Sequence, residues 1–255
     1  MNEKRIKMAL GQGKAPLVFK NATIVDVFTR RLRPADVAVD GDCIVGVGRY
    51  SGQTEIDLSG KYLMPGLVDG HMHFESSLVS PRLFLEQILP WGTTTVIADP
   101  HEIVNVAGMQ GMEYMYRETE DVPARVHWMV PSCVPANALE VNGADFGPSE
   151  MRRVAKRYPA FGLGEVMDAG AVLSCDPEMA EKLSLFGRID GHAPGLSGKE
   201  LAAYRLAGVL TDHECSTFAE AKERVELGFY VQIRQGTAAK NLRDIASGTV
   251  REGLP

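Results

Sequence analysis

The sequence contains no long hydrophobic stretch. No run of about 18 apolar residues occurs in its 255 residues, which argues against a transmembrane helix. Residues 1–16 are basic at first but lack the apolar core of a secretory signal peptide. From these two absences we expect a protein with no membrane partner.

An excess of positive charge is also absent. The 27 Lys and Arg residues against 33 Asp and Glu residues give a net charge of −6, whereas nucleic-acid-binding domains usually carry a basic stripe. We therefore expect no nucleic-acid partner. The hydrophobic content of 45% and charged content of 24% are typical of a globular protein, and the length allows one or two domains.

Cysteine is scarce, and the four residues Cys43, Cys133, Cys175 and Cys215 form no Cys-X-X-Cys pair. In a chain of this size, scattered cysteines favour reduced thiols in a cytoplasmic protein over a disulfide framework. Cys215 lies close after His213, so it is either a metal ligand or a buried thiol. We prefer the buried thiol, because free cysteine usually behaves as a small hydrophobic residue.

The first quarter of the sequence has the pattern of a small β domain. Asp40-Gly41 supplies the positive φ of a tight turn, which predicts a hairpin between residues 37–39 and 44–47. Residues 17–27 read as one or two strands, and residues 55–58 as a strand paired with 61–64. We expect residues 1–64 to form an incomplete, β-sandwich-like domain.

From Pro65 onward, apolar strands alternate with helical segments. Seven strands are predicted, the first ending at His73 and the others at residues 94–98, 125–130, 161–165, 188–192, 209–213 and 229–233. Residues 109–117 form an amphipathic helical segment between two of these strands, and residues 238–245, after the last strand, are predicted to be helical. Further helices are predicted to start at Ser80, Ser149, Asp176, Ser197 and Thr217. Met109, Met112, Met115 and Tyr116 share helical spacing, which favours core packing.

Repeated strand–helix units indicate a parallel sheet, either a (β/α)8 TIM-type barrel or an open doubly wound sheet. No glycine-rich phosphate fingerprint follows any predicted strand, which weakens the nucleotide-binding version of the open sheet. We therefore predict an α/β barrel for residues 65–255.

Two histidines end the first barrel strand. Because side chains alternate on a strand, His71 and His73 point the same way and form half of a metal site. The pair does not identify the metal, since imidazole suits several transition metals. The alternative interpretation is two chance histidines on a surface turn.

Three more candidate ligands, Glu165, His192 and His213, lie at the ends of predicted strands four, five and six. In a barrel, the carboxyl ends of the strands carry the active site, so we expect all five side chains to converge there. Four imidazoles and one carboxylate fit two divalent ions, because each carboxylate oxygen can bind one ion and two such ions can activate water. The alternative for each residue is a satisfied core histidine or a strand-end carboxylate bonded to backbone.

The chain resembles the amidohydrolase superfamily, and within it the adenine deaminase family. The resemblance is most specific at residues 65–81 (PGLVDGHMHFESSLVSP), 92–108 (GTTTVIADPHEIVNVAG), 162–168 (GLGEVMD) and 190–214. It implies two divalent metal ions, manganese or iron with zinc as the alternative, and hydrolysis of adenine, a small purine substrate, to hypoxanthine and ammonia. It also implies that Glu165 bridges the metals, where most of the superfamily uses a carboxylated lysine. We expect a homo-oligomer.

Proton transfer during such a deamination requires side chains beyond the metal ligands. His101 and Glu102 are our catalytic candidates alongside Glu165, and Glu75 is a weaker one. Asp212 and Glu214 flank His213 and are predicted to orient imidazoles. Ser132 and Cys133 follow the third strand and are predicted to line the pocket.

One family feature has no counterpart in this sequence, the aspartate that relatives carry on barrel strand eight. We find seven barrel strands, so the chain resembles an N-terminal portion of an adenine deaminase with strand eight missing. Two alternatives stay open. One is an amidohydrolase acting on another cyclic amide or N-acyl substrate, and the other is a metal-binding fragment with impaired catalysis.

Overall fold

The computed structural model describes residues 2–137 and 139–254. The chain divides into two compact units between Gly66 and Leu67, close to the boundary expected after residue 64. No helix within the described residues is both long and apolar enough to cross a membrane.

The first unit is a small sheet with one helix. The helix α1 (Glu3–Ala9) was not predicted; it begins where the Asn2 side chain accepts a hydrogen bond from the amide of Arg5, a standard N-cap. The strands are β1 (Ala15–Asp26), β2 (Arg31–Asp40), β3 (Cys43–Gly48), β4 (Gly52–Asp57) and β5 (Tyr62–Leu63). The sheet order is β3-β2-β1-β4, with β5 also paired to β1.

Strand pairing in the first unit confirms one prediction and corrects another. β2 and β3 form the predicted antiparallel hairpin, with Gly41 at φ +62° in its turn. β4 and β5 do not pair with each other. Both run parallel to β1, β4 beside Ala15–Lys20 and β5 beside Thr23–Ile24. Between β4 and β5, the Leu58 amide donates to the Lys20 carbonyl and the Thr23 amide donates to the Lys61 carbonyl, so the chain stays along the same edge of β1.

The second unit confirms the predicted parallel, partial TIM-type barrel with all seven predicted strands. Its main sheet has the order β10-β9-β8-β7-β6, and every neighbouring pair is parallel. A second parallel pair follows, β11 with β12. The strands are β6 (Leu67–Met72), β7 (Thr93–Ala98), β8 (Arg125–Val130), β9 (Ala160–Val166), β10 (Ile189–Gly191), β11 (Thr211–Asp212) and β12 (Tyr230–Val231).

Hydrogen bonds outside the regular ladders continue the curl of this sheet. The amide of Leu210 donates to the carbonyl of Ile189 at 2.9 Å, which places β11 beside β10. At the far end, the Gln232 side chain donates to the Gly70 carbonyl at 3.0 Å. The last strand therefore approaches the first, and the carboxyl ends of all seven strands surround one region.

Helices follow most strands of the second unit, and three predicted starts are confirmed. Ser80, Asp176 and Thr217 cap the helices that they precede. The helices are α2 (Pro81–Ile88), α3 (His101–Arg117), α4 (Pro148–Arg157), α5 (Ala169–Leu173), α6 (Pro177–Ser184), α7 (Gly198–Leu206), α8 (Phe218–Glu226) and α9 (Leu242–Glu252).

Other helix boundaries differ from prediction. α4 begins at Pro148, because the Glu150 side chain accepts the Gly147 amide, so Ser149 lies inside the helix. Ser197 precedes α7 but its side chain makes no capping bond to any described residue. α9 begins at Leu242 instead of residue 238, and the short α5 was not predicted.

The long helix α3 begins earlier than predicted, at His101, and kinks at Gly108, where φ is +53°. Its buried face confirms the predicted methionine-rich core. Met112, Met115 and Tyr116 are buried, and Met109 packs against the same cluster. This helix places His101 on its first turn, next to the carboxyl end of β7.

Candidate metal centre

The five predicted ligands meet at the carboxyl ends of their strands. His71 lies in β6 and His73 just after it, while Glu165 lies near the end of β9. His192 and His213 are the first residues after β10 and β11. The common strand direction of a parallel sheet brings these sequence-distant side chains to one edge.

The Glu165 carboxylate lies at the middle of this cluster and is 3% exposed. Its Oε1 atom is 3.4 Å from His73 Nε2. Its Oε2 atom is 2.9 Å from His192 Nδ1 and 3.0 Å from His213 Nε2. The two oxygens therefore face different histidines.

The cluster divides into two sets of possible ligands that share Glu165. His71, His73 and Glu165 form the first set, and Glu165, His192 and His213 form the second; within each set the ligand atoms lie within 4.8 Å of one another. We call these the first and second ligand sets. Oε1 lies nearest His73 of the first set, whereas Oε2 lies nearest His192 and His213 of the second set and is 4.0 Å from His71 Nε2. A carboxylate whose two oxygens face different histidines is the arrangement expected of a bridging ligand.

The hydrogen bonds of His71 and His73 test whether a cation fits. His71 Nδ1 lies 2.7 Å from the Asp190 carboxylate, and His73 Nδ1 lies 2.8 Å from the Asp99 carbonyl oxygen. Both partners only accept, so both Nδ1 atoms carry hydrogen. In the neutral rings the Nε2 lone pairs then face each other at 3.1 Å. This arrangement is repulsive without a proton or a metal ion between them, so the residues fit a cation.

The electrostatics of the second set lead to the same conclusion. Burial opposes the charge on His213, but hydrogen bonds from its ring to Glu165 and Glu214 raise its pKa to about 9. Burial likewise opposes ionisation of Glu165, but its hydrogen bonds with His192 and His213 outweigh that effect and lower its pKa. The cluster is therefore built around positive charge, which protons supply when metal is absent. Imidazole and carboxylate are donors that manganese, iron and zinc accept.

Cys215 does not belong to either ligand set. It is 2% exposed, and its Sγ atom faces Asp212 Oδ2 at 3.8 Å. Burial raises the pKa of this thiol to about 12, which opposes formation of the thiolate that binds metals. The structure agrees with the buried thiol predicted from sequence.

Of the side chains predicted to transfer protons alongside Glu165, one lies in the ligand cluster and the others do not. His101 joins the cluster, with Nδ1 at 3.3 Å from Glu165 Oε1. Glu102 is exposed on the first turn of α3, and its side chain contributes no hydrogen bond or ion pair to the cluster within residues 2–137 and 139–254. Glu75 accepts a hydrogen bond from the Ile103 amide at 3.1 Å, so it binds the start of α3.

Of the two acidic residues predicted to orient imidazoles, Glu214 contacts one and Asp212 does not. Asp212 binds Arg224 and backbone amides and touches no imidazole among the described residues, which corrects its predicted role. Glu214 does approach an imidazole, at 3.3 Å from His213 Nε2. The Ser132 hydroxyl donates to the backbone oxygen of Glu165 at 2.5 Å and so helps to fix the Glu165 backbone.

Two aspartates that contact the ligands were not assigned a function from the sequence. Asp190 binds the His71 ring, and Asp99 Oδ2 accepts the Glu165 amide at 2.9 Å. Asp190 lies in β10 and is separated by one residue from His192, which directly follows that strand, so the alternation of side chains could have indicated it. Asp99 is the first residue after β7, and polar residues at the carboxyl ends of barrel strands are candidates for the site.

Comparison with known proteins shows which families this chain resembles. The model of the amidohydrolase family matches residues 62–246. An adenine deaminase from Clostridium acetobutylicum is 48% identical over 250 residues, which are 96% of this chain and 44% of the relative. An adenine deaminase from Desulfitobacterium hafniense Y51 is 50% identical over 258 aligned positions, which cover 99% of this chain and 45% of the relative. The chain thus spans less than half the length of these curated relatives.

Two solved structures share the fold. An atrazine chlorohydrolase from Arthrobacter aurescens TC1, solved with zinc, has a TM-score of 0.55 at 16% identity and covers 88% of this chain and 73% of its own. A beta-aspartyl dipeptidase from Fervidobacterium islandicum AW-1 has a TM-score of 0.59 at 15% identity, and the match covers 95% of this chain and 71% of the dipeptidase chain. At such identities the likeness concerns fold alone.

Proposed function

Since this chain belongs to the amidohydrolase family, we propose that it carries the metal centre of a hydrolase that converts adenine to hypoxanthine and ammonia. The substrate is supported by relatives named adenine deaminase at 48% and 50% identity. The single observation that carries the metal centre is the Glu165 carboxylate, whose Oε1 faces His73 and whose Oε2 faces His192 and His213. A cytoplasmic location and a homo-oligomer remain predictions.

We assign one divalent ion to each ligand set, with manganese or iron preferred and zinc as the alternative. Ions in such sites lower the pKa of bound water and polarise the group that the water attacks. Glu165 would supply negative charge to ions held in either set. Asp190 and the Asp99 carbonyl hold the rings of His71 and His73, so that each Nε2 lone pair is available.

His101 is the side chain best placed to move a proton beside these ligands. Its Nδ1 lies 3.3 Å from Glu165 Oε1. Burial lowers the pKa of the ring, but the Asp99 and Glu165 carboxylates outweigh it and raise the pKa to about 9. The ring therefore holds a proton near neutral pH in the metal-free protein. Hydrolysis of adenine releases its amino group as ammonia, and a positioned imidazolium can donate the proton that this departure needs.

The proposal is tested with the chain as it exists, its mass confirmed and its metal content measured. After manganese loading, adenine is incubated with the protein, and hypoxanthine and ammonia are quantified. We expect both products in equal amounts, abolished by a chelator and by Glu165→Gln. A fully loaded chain that hydrolyses cyclic amides or N-acyl compounds but not adenine would contradict the proposed substrate, and one that turns over none of them would support the alternative of a metal-binding fragment with impaired catalysis.

A further inference from the structure

A buried ion pair links the sixth barrel strand to the helix that follows it. Asp212, at the end of β11, is 0% exposed, and Arg224, in α8, is 2% exposed. Arg224 Nε donates to Asp212 Oδ2 at 2.8 Å. Fully buried charged side chains are uncommon, and desolvation offsets much of their attraction. A contribution to folding stability is therefore a weak explanation for the presence of this buried ion pair.

Apart from a contact of the Cys215 thiol with Asp212 Oδ2, the other hydrogen bonds of the pair go to backbone groups in two loops. Asp212 Oδ1 accepts from the amides of Ala193 and Glu214, each at 3.1 Å. Arg224 Nη2 donates to the carbonyl oxygen of Ala193 at 2.8 Å. Both backbone polar groups of Ala193 are thus held by one ion pair, which also holds the first loop residue after His213.

These two loops carry the second ligand set. Ala193 directly follows His192, and Glu214 directly follows His213. The ring atoms His192 Nδ1 and His213 Nε2 lie 3.4 Å apart, so a small shift of either backbone would change the distance between two ligand atoms.

The first ligand set is held by other means. The rings of His71 and His73 bind Asp190 and the Asp99 carbonyl directly. Within the described part of the chain, neither Asp212 nor Arg224 hydrogen-bonds those rings or their backbone. The direct hydrogen bonds of the ion pair therefore reach only the loops of the second set, although Thr211, next to Asp212, donates its hydroxyl to Asp190.

We propose that Asp212 and Arg224 are a positioning pair, which fixes the loops after β10 and β11 so that His192 and His213 hold one metal ion together. The inference rests on the proposed metal centre and adds which buried pair fixes the loops of the second ligand set. Outer contacts of this kind typically change metal affinity by about 10–100-fold when removed.

The test compares Arg224→Met with Arg205→Met in manganese titrations of the whole chain. Arg205 is a matched control, because its Nε also donates to a backbone carbonyl, that of Gly228, at 3.2 Å, but outside the ligand loops. We expect Arg224→Met to weaken one of two manganese equivalents about 10–100-fold and leave the other unchanged, while Arg205→Met retains both. Equal weakening of both equivalents, or no weakening, would overturn the proposal.

Arg224→Met leaves Asp212 charged and buried, which can prevent folding. The double variant Asp212→Leu/Arg224→Met removes both charges and keeps the test available, because apolar replacements of buried ion pairs are often tolerated. The same selective loss of one manganese equivalent is expected from it.

A second readout does not depend on metal. In the metal-free protein, the amides of Ala193 and Glu214 should exchange hydrogen slowly in wild type and faster in the double variant. Unchanged exchange at both amides would overturn the positioning role. A wild-type chain that binds no manganese would instead contradict the proposed function, and the exchange rates would then decide the role of the pair by themselves.

Discussion

The Nδ1 atom of His71 lies 2.7 Å from Oδ2 of Asp190, and this contact decides which nitrogen of His71 faces the first ligand set. Asp190 is 4% exposed and also accepts the Gly191 amide at 3.0 Å and the Thr211 hydroxyl. Its interaction with the His71 ring outweighs burial and lowers its pKa. The carboxylate therefore stays ionised and keeps the His71 hydrogen on Nδ1.

Asp190→Asn should weaken metal binding at the first ligand set by about 10–100-fold, because an amide can present its NH2 group to the ring and reverse the tautomer. Manganese titration measures the effect. Asp176→Asn is the matched control: it also removes one carboxylate charge, but the asparagine can still accept the Met179 amide at the start of α6. Equal manganese affinities in Asp190→Asn and Asp176→Asn would contradict the proposal that Asp190 fixes the tautomer of His71.

Metal affinity should rise with pH up to about 9. The pKa of His213 in the metal-free protein is raised to about 9, so at neutral pH a metal ion must displace its proton. Each added pH unit should therefore favour binding until the ring is neutral. Manganese titrations between pH 6 and 9.5 measure the trend, and an affinity independent of pH would show that His213 is not a ligand.

The raised pKa of His213 also predicts how the free energy of unfolding changes with pH. This free energy should fall as pH rises, whereas metal affinity should increase. A histidine with a raised pKa in the folded state contributes stability that is complete below its unfolded pKa of about 6.5 and is lost as pH rises to about 9. Urea unfolding of the metal-free chain should thus give a lower free energy at pH 9 than at pH 6.5. His213→Asn should reduce this dependence, and an identical slope in the variant would contradict the assignment.

The caps of two barrel helices provide a test of the fold. Thr217 accepts the Glu220 amide at the start of α8, whereas the Ser197 side chain caps nothing in the described structure before α7. Thr217→Ala should lower the free energy of unfolding by about 1 kcal/mol, and Ser197→Ala should change it by less than half as much. Urea unfolding of both variants measures the difference, and equal losses would contradict the two cap assignments.

Sequence patterns predicted the features that depend on local chemistry. The strands of the second unit were found because apolar runs mark buried parallel strands, and the candidate ligands because polar residues end them. Thr217 with Glu220 was found because a capping box is contained in four residues. Ser197 with Glu200 has the same spacing, but its side chain caps no amide among residues 2–137 and 139–254, so spacing alone did not distinguish the two.

Features that depend on tertiary pairing were not predicted. β4 and β5 look like a local hairpin, and only the long strand β1 decides that both pair with it. Asp212 was assigned to an imidazole because it adjoins His213, but its partner Arg224 lies in the next helix. The binding of Asp190 to His71, across the barrel from β10 to β6, likewise has no signal in either local sequence.

The central claim is that Glu165 joins two metal sites, and metal counting tests it most directly. Wild type and Glu165→Gln are dialysed against the same free manganese concentration, and bound metal per chain is measured with folding checked by circular dichroism. We expect two equivalents in wild type and at most one in the variant, because glutamine keeps the shape but loses the charge that two cations share. Two full equivalents in Glu165→Gln would contradict the bridging role.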